Sequence, residues 1–149
     1  MELLPDAIPC HQRACLVAHI YLEVFKTELQ RLCDIVVLQR CGASKWASPT
    51  FNPKRMIVSN GWVSGFRDLN KVINRNIHPL PRLQTILTKR AGYLFFTKLD
   101  VSTQYYTFAL VLGSQNLCVI LSTPFGLYKY LLLPMGVKQS SDIAQETME

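Results

Sequence analysis

Asp100 closes the apolar run Phe96-Thr97-Lys98-Leu99-Asp100, and the stretch Val-Ser-Thr-Gln-Tyr-Tyr follows at 101–106. The run reads as a buried strand that turns abruptly at its carboxylate. A carboxylate at a strand end, beside a turn that can approach a ligand, offers the hard oxygen donors that magnesium takes. An aspartate in that place also serves as an ordinary turn residue. Cys10, His11, Cys15 and His19 form a second group of metal-binding types, but their spacing fits neither a zinc finger nor a zinc knuckle and reads as coincidence. Asp142 and Glu146 share a helix face at i,i+4 spacing, which reads as a solvated surface.

Positive charge is concentrated. The 149 residues carry 16 Lys+Arg against 10 Asp+Glu, a formal charge of +6, and ten of the cations lie from Arg40 to Arg90 with Asp68 as the only acid. Such a band suits a polyanion such as nucleic-acid phosphate. Hydrophobic residues make up 49%, which argues against a disordered chain. Pro124, Lys129 and Pro134 interrupt the most apolar region, so no membrane span is expected. The first ten residues lack the pattern of a signal peptide. The five cysteines are odd in number and irregular in spacing, which makes no disulfide framework. A reducing, intracellular and cytoplasmic setting is therefore expected. Cys33 and Cys118 fall in apolar patterns and read as core.

The elements that position these groups follow an α+β pattern. Residues 1–18 read as an irregular lead-in. Ile20, Val24, Phe25, Leu29, Leu32, Ile35 and Val36 recur at helical spacing from His19 to about Leu38, and Cys41–Ser44 breaks the pattern. Residues 44–54 read as extended because of Pro49 and Pro53. A hairpin is expected over 56–66 with its turn at 59–61. A helical turn is expected within 66–74, and a short helix after the His-Pro-Leu-Pro of 78–81, ending near Arg90. Strands are expected at 93–100, 107–112, 117–122 and 128–133, with turns at 113–116 and 124–126. A closing helix over 140–148 takes Ser140 or Ser141 as N-cap.

Four blocks in this order resemble reverse transcriptases, with closest kinship to gypsy-type LTR retrotransposons. They are the helix followed by SKWASPTFNPK (44–54), the segment WVSGFRDLNKVINRNIHPLPRLQTIL (62–87), FTKLDVSTQYY (96–106), and TPFGLYKYLLLPMGVKQSSDIAQETM (123–148). The last two correspond to motifs A and B of that family, and the likeness runs from about His19 to the end of the chain. The resemblance implies an incomplete fingers and palm, with antiparallel palm strands and flanking helices: 19–91 mainly fingers, 92–149 the palm with motifs A and B. It implies an RNA-directed DNA polymerase that joins a primer 3′-hydroxyl to the α-phosphate of a nucleotide through two metal ions about 3.5–4 Å apart.

Residue by residue, the resemblance makes Asp100 the catalytic carboxylate and metal ligand, with the backbone carbonyl of Val101 beside it. Tyr105 is the steric gate that crowds out a ribose 2′-hydroxyl. Met135 and Gly136 lie near the nucleotide, where glycine lets the backbone come close. Lys54 and Arg55 are candidates for the triphosphate. Arg67, Asn70, Lys138 and Gln145 are candidates for template and primer, Arg67 with a bracing role in the fingers. Magnesium or manganese, an RNA or DNA template-primer and deoxynucleoside triphosphates are the implied cofactor and partners.

The sequence also departs from the family. Gly65 replaces an aspartate, Gly61 an arginine that reaches the triphosphate, and Ser141 a proline of motif B. The loop 54–60 lacks the expected Lys-Lys turn, and Ala109–Leu112 is unusually apolar. The Tyr-x-Asp-Asp pair that completes the metal site does not occur in the 149 residues. Inactivity of this chain alone, weak metal binding and self-association through an uncovered palm sheet are therefore expected. A residual nucleic-acid-binding module, or the product of a decayed mobile element with no role, is the alternative.

Overall fold

The computed structural model describes residues 1–51, 62–122 and 125–148. In chain order the elements are β1 (Glu2–Leu3), α1 (Leu22–Asp34), β2 (Leu38–Arg40), β3 (Ser48–Phe51), β4 (Val63–Ser64), α2 (Leu69–Val72), β5 (Ile73–Asn74), α3 (Leu83–Lys89), α4 (Leu112–Leu117), β6 (Val119–Ser122), β7 (Gly126–Tyr130) and α5 (Ser140–Met148). Strands β2-β7-β6-β3-β4 form a five-stranded sheet, and β1 pairs with β5 apart from it. The sheet is mixed rather than antiparallel. β3 runs parallel to β6, with Ser48 opposite Ile120, while the other pairs are antiparallel.

α1 lies against this sheet because Phe25, Leu29 and Leu32 fall on one helical stripe and are buried. They join Leu38, Ile120, Tyr130, Trp62, Phe66 and Leu69 in a single core. Phe25 stacks on Trp62 with ring centroids 4.8 Å apart, and Phe66 meets Tyr130 at 5.9 Å. Full burial of such a ring contributes about 1.5–3 kcal/mol. The stripe is narrower than the sequence period implied, since Ile20, Val24, Ile35 and Val36 are exposed.

α1 also stops earlier than expected, at Asp34. Val36 takes a left-handed φ of 60°, its N–H bonds the Cys33 carbonyl at 3.0 Å, and the Val37 N–H bonds the Leu32 carbonyl at 2.9 Å. This is a Schellman closure, sealed by buried Leu32 and Val37. The stop signal was a backbone conformation at a valine, not the Gly42 region.

Several other expectations are corrected. The run 93–100 is exposed and irregular rather than a buried strand, and it pairs with no strand among the described residues. Apolar composition supplied the propensity, but a strand needs a neighbour for its backbone groups. The turn expected at 113–116 lies inside α4, where Gln115 Nε2 bonds the Leu110 carbonyl at 2.8 Å and Ser114 is buried. The 107–112 strand reduces to a short seam described below. The lead-in is not irregular throughout. β1 pairs with β5, and the backbone at Cys10 and Gln12 bonds both sides of Ala47. Cys118 is fully buried as read, whereas Cys33 is half-buried at the core's margin. The hairpin turn at 59–61, and with it Lys54, Arg55 and Gly61, lies outside the described residues. Among the described residues no helix is long and apolar enough to cross a membrane, and no group of three or more Cys, His, Asp or Glu is arranged to hold a metal, the Cys10–His19 cluster included.

Candidate nucleotide site

Three of the residues assigned to the nucleotide converge. Val101, Tyr105 and Met135 line one pocket of about 220 Å³, together with Thr103, Gln104 and Tyr106. The pocket is smaller than the roughly 300–1,000 Å³ of a whole-ligand cleft and has the scale of a sugar-sized group.

Its first wall is made by a turn. Thr103 adopts a left-handed φ of 51°, and Gln104–Thr107 forms a short 3-10 helix in which the Tyr106 N–H bonds the Thr103 carbonyl at 2.8 Å. Tyr105 and Tyr106 are both half-buried. Tyr106 packs on the core, and burial, aided by the nearby Glu28 carboxylate, pushes its phenol up. Glu28 is itself buried and held by Arg31 through Nε at 2.9 Å and Nη2 at 2.7 Å. Tyr130 shares a 2.9 Å hydrogen bond with the Ser64 hydroxyl, and burial raises its phenol strongly.

The second wall is tied to the first through backbone. The Leu110 N–H bonds the Leu131 carbonyl and the Leu133 N–H bonds the Phe108 carbonyl, both at 2.8 Å, around the antiparallel bridge Ala109–Leu132. That seam brings Met135 opposite Tyr105. Beyond it Gly136 turns with φ 92° beside the Ser64 carbonyl. Asn70 holds this turn: its Nδ2 donates to the Gly136 carbonyl, and its Oδ1 accepts the Lys138 N–H, each at 2.8 Å. Asn70 thus engages both ends of its amide with the protein. The Ser140 hydroxyl, expected as an N-cap, donates to the Pro134 carbonyl at 2.8 Å instead. Gln139 is buried, and its Oε1 has no partner among the described residues.

Asp100 is exposed on the irregular chain immediately before Val101. Arg67 is exposed, and its charge, after that of Lys71, helps hold the Asp68 carboxyl low. Lys138 is half-buried. Gln145 is half-buried on α5, the helix that packs against the 104–107 turn. Gly65 lies flush on Pro49, where an added Cβ would meet Pro49 Cγ at 3.3 Å. A side chain there would require Pro49 to give way by a few tenths of an ångström.

Sequence reasoning missed the partner of Asp142. Far from being a solvated surface group, Asp142 is buried and takes Arg75 Nε at 2.6 Å and Nη2 at 3.0 Å, as well as the His78 N–H at 3.2 Å. Arg75 holds its carboxyl below the usual range, with the His78 N–H adding to the effect. The available signal was Arg75 itself, a cation in a stretch without acids.

The donor set bears on metal binding. Asp100 is one carboxylate, and Val101 can add one carbonyl, which does not complete a shell for magnesium without substrate phosphates and water. These residues do not fit a resident ion by themselves.

No family model matches the chain. An uncharacterized Caenorhabditis elegans protein, K02A2.6, is 29% identical over 97% of this chain. The enzymatic polyprotein of Cestrum yellow leaf curling virus is 35% identical over 64% of it, and the Tf2-3 transposon polyprotein of Schizosaccharomyces pombe is 33% identical over 56%. The chain spans only 11%, 14% and 6% of their respective lengths. Among solved structures, the foamy viral protease-reverse transcriptase in complex with RNA/DNA hybrid superposes on 96% of the chain with a TM-score of 0.74 at 17% identity, covering 19% of that protein. The form in complex with double-stranded DNA gives 0.69 at 16% identity, covering 24%. The chain is thus similar to a segment of transposon and viral polyproteins, and its mixed α+β fold is one found in a retroviral protease-reverse transcriptase.

Proposed function

We propose that the chain is part of the RNA-directed DNA polymerase of a gypsy-type retrotransposon polyprotein, comprising the fingers and the front of the palm. The observation that carries this reading is the shared pocket in which Val101 and Tyr105 of motif A meet Met135 of motif B, a residue distant from them in sequence, all three having been assigned to the nucleotide. In this reading the pocket receives the sugar of a deoxynucleoside triphosphate. The Tyr105 ring is the wall that a 2′-hydroxyl would strike, and its half-buried, turn-anchored position keeps it from yielding. The Gly136 turn, fixed by Asn70, sets how closely the backbone approaches. Template and primer belong to the same reading, supported by the nucleic-acid complexes of the two foamy viral structures.

In the intact family the metal ions supply Lewis acidity. This chain offers them Asp100 and the Val101 carbonyl, and holds no ion tightly without the triphosphate. With no Tyr-x-Asp-Asp in its residues, the isolated polypeptide binds nucleotide but does not extend a primer.

Saturation-transfer NMR with magnesium dTTP and magnesium UTP tests the pocket. Transfer to the deoxynucleotide sugar is expected, with little to the ribonucleotide, and Tyr105→Ala should erase the difference. Equal transfer to both nucleotides in the unaltered chain sinks the gate. Magnesium-dependent primer extension by the pure 149-residue protein sinks the inactivity.

A further inference from the structure

Tyr106 belongs to two environments. It lines the nucleotide pocket beside Val101, Tyr105 and Met135, and it also packs against the hydrophobic core. A ring that only fills that place needs no hydroxyl. A phenol carried into apolar surroundings costs free energy unless its polar tip is bonded. Here the tip has partners from two elements. The phenol of Tyr130, buried on β7, hydrogen-bonds it. Tyr130 is held in turn by the Ser64 hydroxyl of β4 at 2.9 Å. The second partner is the charge of the Glu28 carboxylate on α1, buried and fixed by its two bonds to Arg31. That negative charge draws the Tyr106 proton toward α1 and leaves the phenol oxygen to accept from Tyr130.

Tyr105 is the preceding residue, in the same single turn of 3-10 helix at Gln104–Thr107. The backbone of that turn restrains it weakly. The Phe108 N–H reaches the Tyr105 carbonyl only at 3.3 Å, and Thr103 before the turn holds a left-handed φ of 51° without being glycine. A turn so short takes its position from what grips its side chains. We propose that Tyr106 is a positioning residue for sugar discrimination: its hydroxyl, tied to Tyr130 and oriented by Glu28, holds the turn so that Tyr105 faces Met135 across the pocket. This role rests on the polymerase reading of the pocket and adds to it the part that keeps the gate in place.

Tyr106→Phe keeps the ring and deletes only the hydroxyl. Saturation-transfer titration of the 149-residue chain with magnesium dUTP and magnesium UTP gives the preference for a sugar lacking the 2′-hydroxyl. In Tyr106→Phe that preference should shrink roughly two- to tenfold, the scale of one neutral hydrogen bond. The NMR cross-peak between the Tyr105 ring and the Met135 methyl should weaken with it. Glu28→Gln should act in the same direction, and it decides the matter if Tyr106→Phe does not fold. An unchanged preference in the folded variants overturns the role and leaves the polymerase reading standing. Equal weakening of both nucleotides with the Tyr105–Met135 cross-peak intact overturns it as well, because a merely structural loss acts that way. No preference for dUTP in the unaltered chain overturns the polymerase reading and the positioning role together.

Discussion

Arg75 grips Asp142 with two parallel hydrogen bonds, 2.6 Å from Nε and 3.0 Å from Nη2, so the segment after β5 is clamped to the first turn of α5. The carboxylate is buried and the arginine side chain is 41% exposed. Removing the carboxylate strands the cation and frees the His78 N–H. Asp142→Ala should cost about 1.5–3 kcal/mol, the usual scale for hydrogen bonds to a charged group, read from the urea midpoint at neutral pH.

The same pair sets an acid limit. The folded pKa of Asp142 lies below the unfolded value of about 3.9, so its contribution is complete above that value. As pH falls through the folded pKa, Asp142 protonates in the native state as well and the contribution disappears. Urea midpoints should therefore decline below about pH 4 in the parent and decline less in Asp142→Asn. Identical slopes in the two proteins would remove the linkage.

Val36 occupies the position of a Schellman closure where glycine is usual, with φ 60° on a β-branched residue. Left-handed backbone costs such a residue about 1–2 kcal/mol, part of which glycine returns as entropy of the unfolded chain. Val36 is 59% exposed, so little packing is lost. Val36→Gly should raise stability by up to about 1 kcal/mol in thermal melts.

Asn70 and Gly136 should behave as one device. Asn70→Ala deletes both hydrogen bonds to the 136–138 turn, at about 1 kcal/mol each. Gly136→Ala meets only ordinary contacts, at 3.5 Å from the Ser64 carbonyl, so its cost of about 1–3 kcal/mol comes from the backbone at φ 92°. Both should weaken nucleotide binding at the Tyr105 pocket, and the double variant should lose less than the sum. A strictly additive double-mutant cycle would separate them.

Cys118 is enclosed, and burial pushes its thiol up to about 12. A thiol so protonated is a poor nucleophile. Mass spectrometry after brief alkylation at mildly alkaline pH should find Cys10 and Cys15 modified and Cys118 intact, and urea should abolish the difference. Labelling of native Cys118 at the rate of Cys10 would contradict its burial.

What the sequence revealed depended on how local the cause was. α1, α3 and α5 follow from helical periods and breakers within their own residues, and β6 and β7 from short apolar runs. The motif blocks went further, naming Val101, Tyr105 and Met135 before any geometry joined them. Non-local causes stayed hidden. No pattern around Asp142 points to Arg75. The partners of Asn70 lie across the fold in the 136–138 turn, and no local pattern announces them. The run 93–100 has the composition of a strand, but strand formation is a property of two segments, and only one was in view.

The parallel pairing of β3 with β6 has a consequence for how the chain is made. Ser48 meets Ile120, so the early strand waits for its mate until β6 has left the ribosome. Such distant pairing delays native structure and leaves nascent apolar surface for chaperones to shield. Slowing translation once β6 has cleared the ribosome should then favour correctly folded product, whereas a pause that exposes β3 before β6 has emerged should favour aggregates.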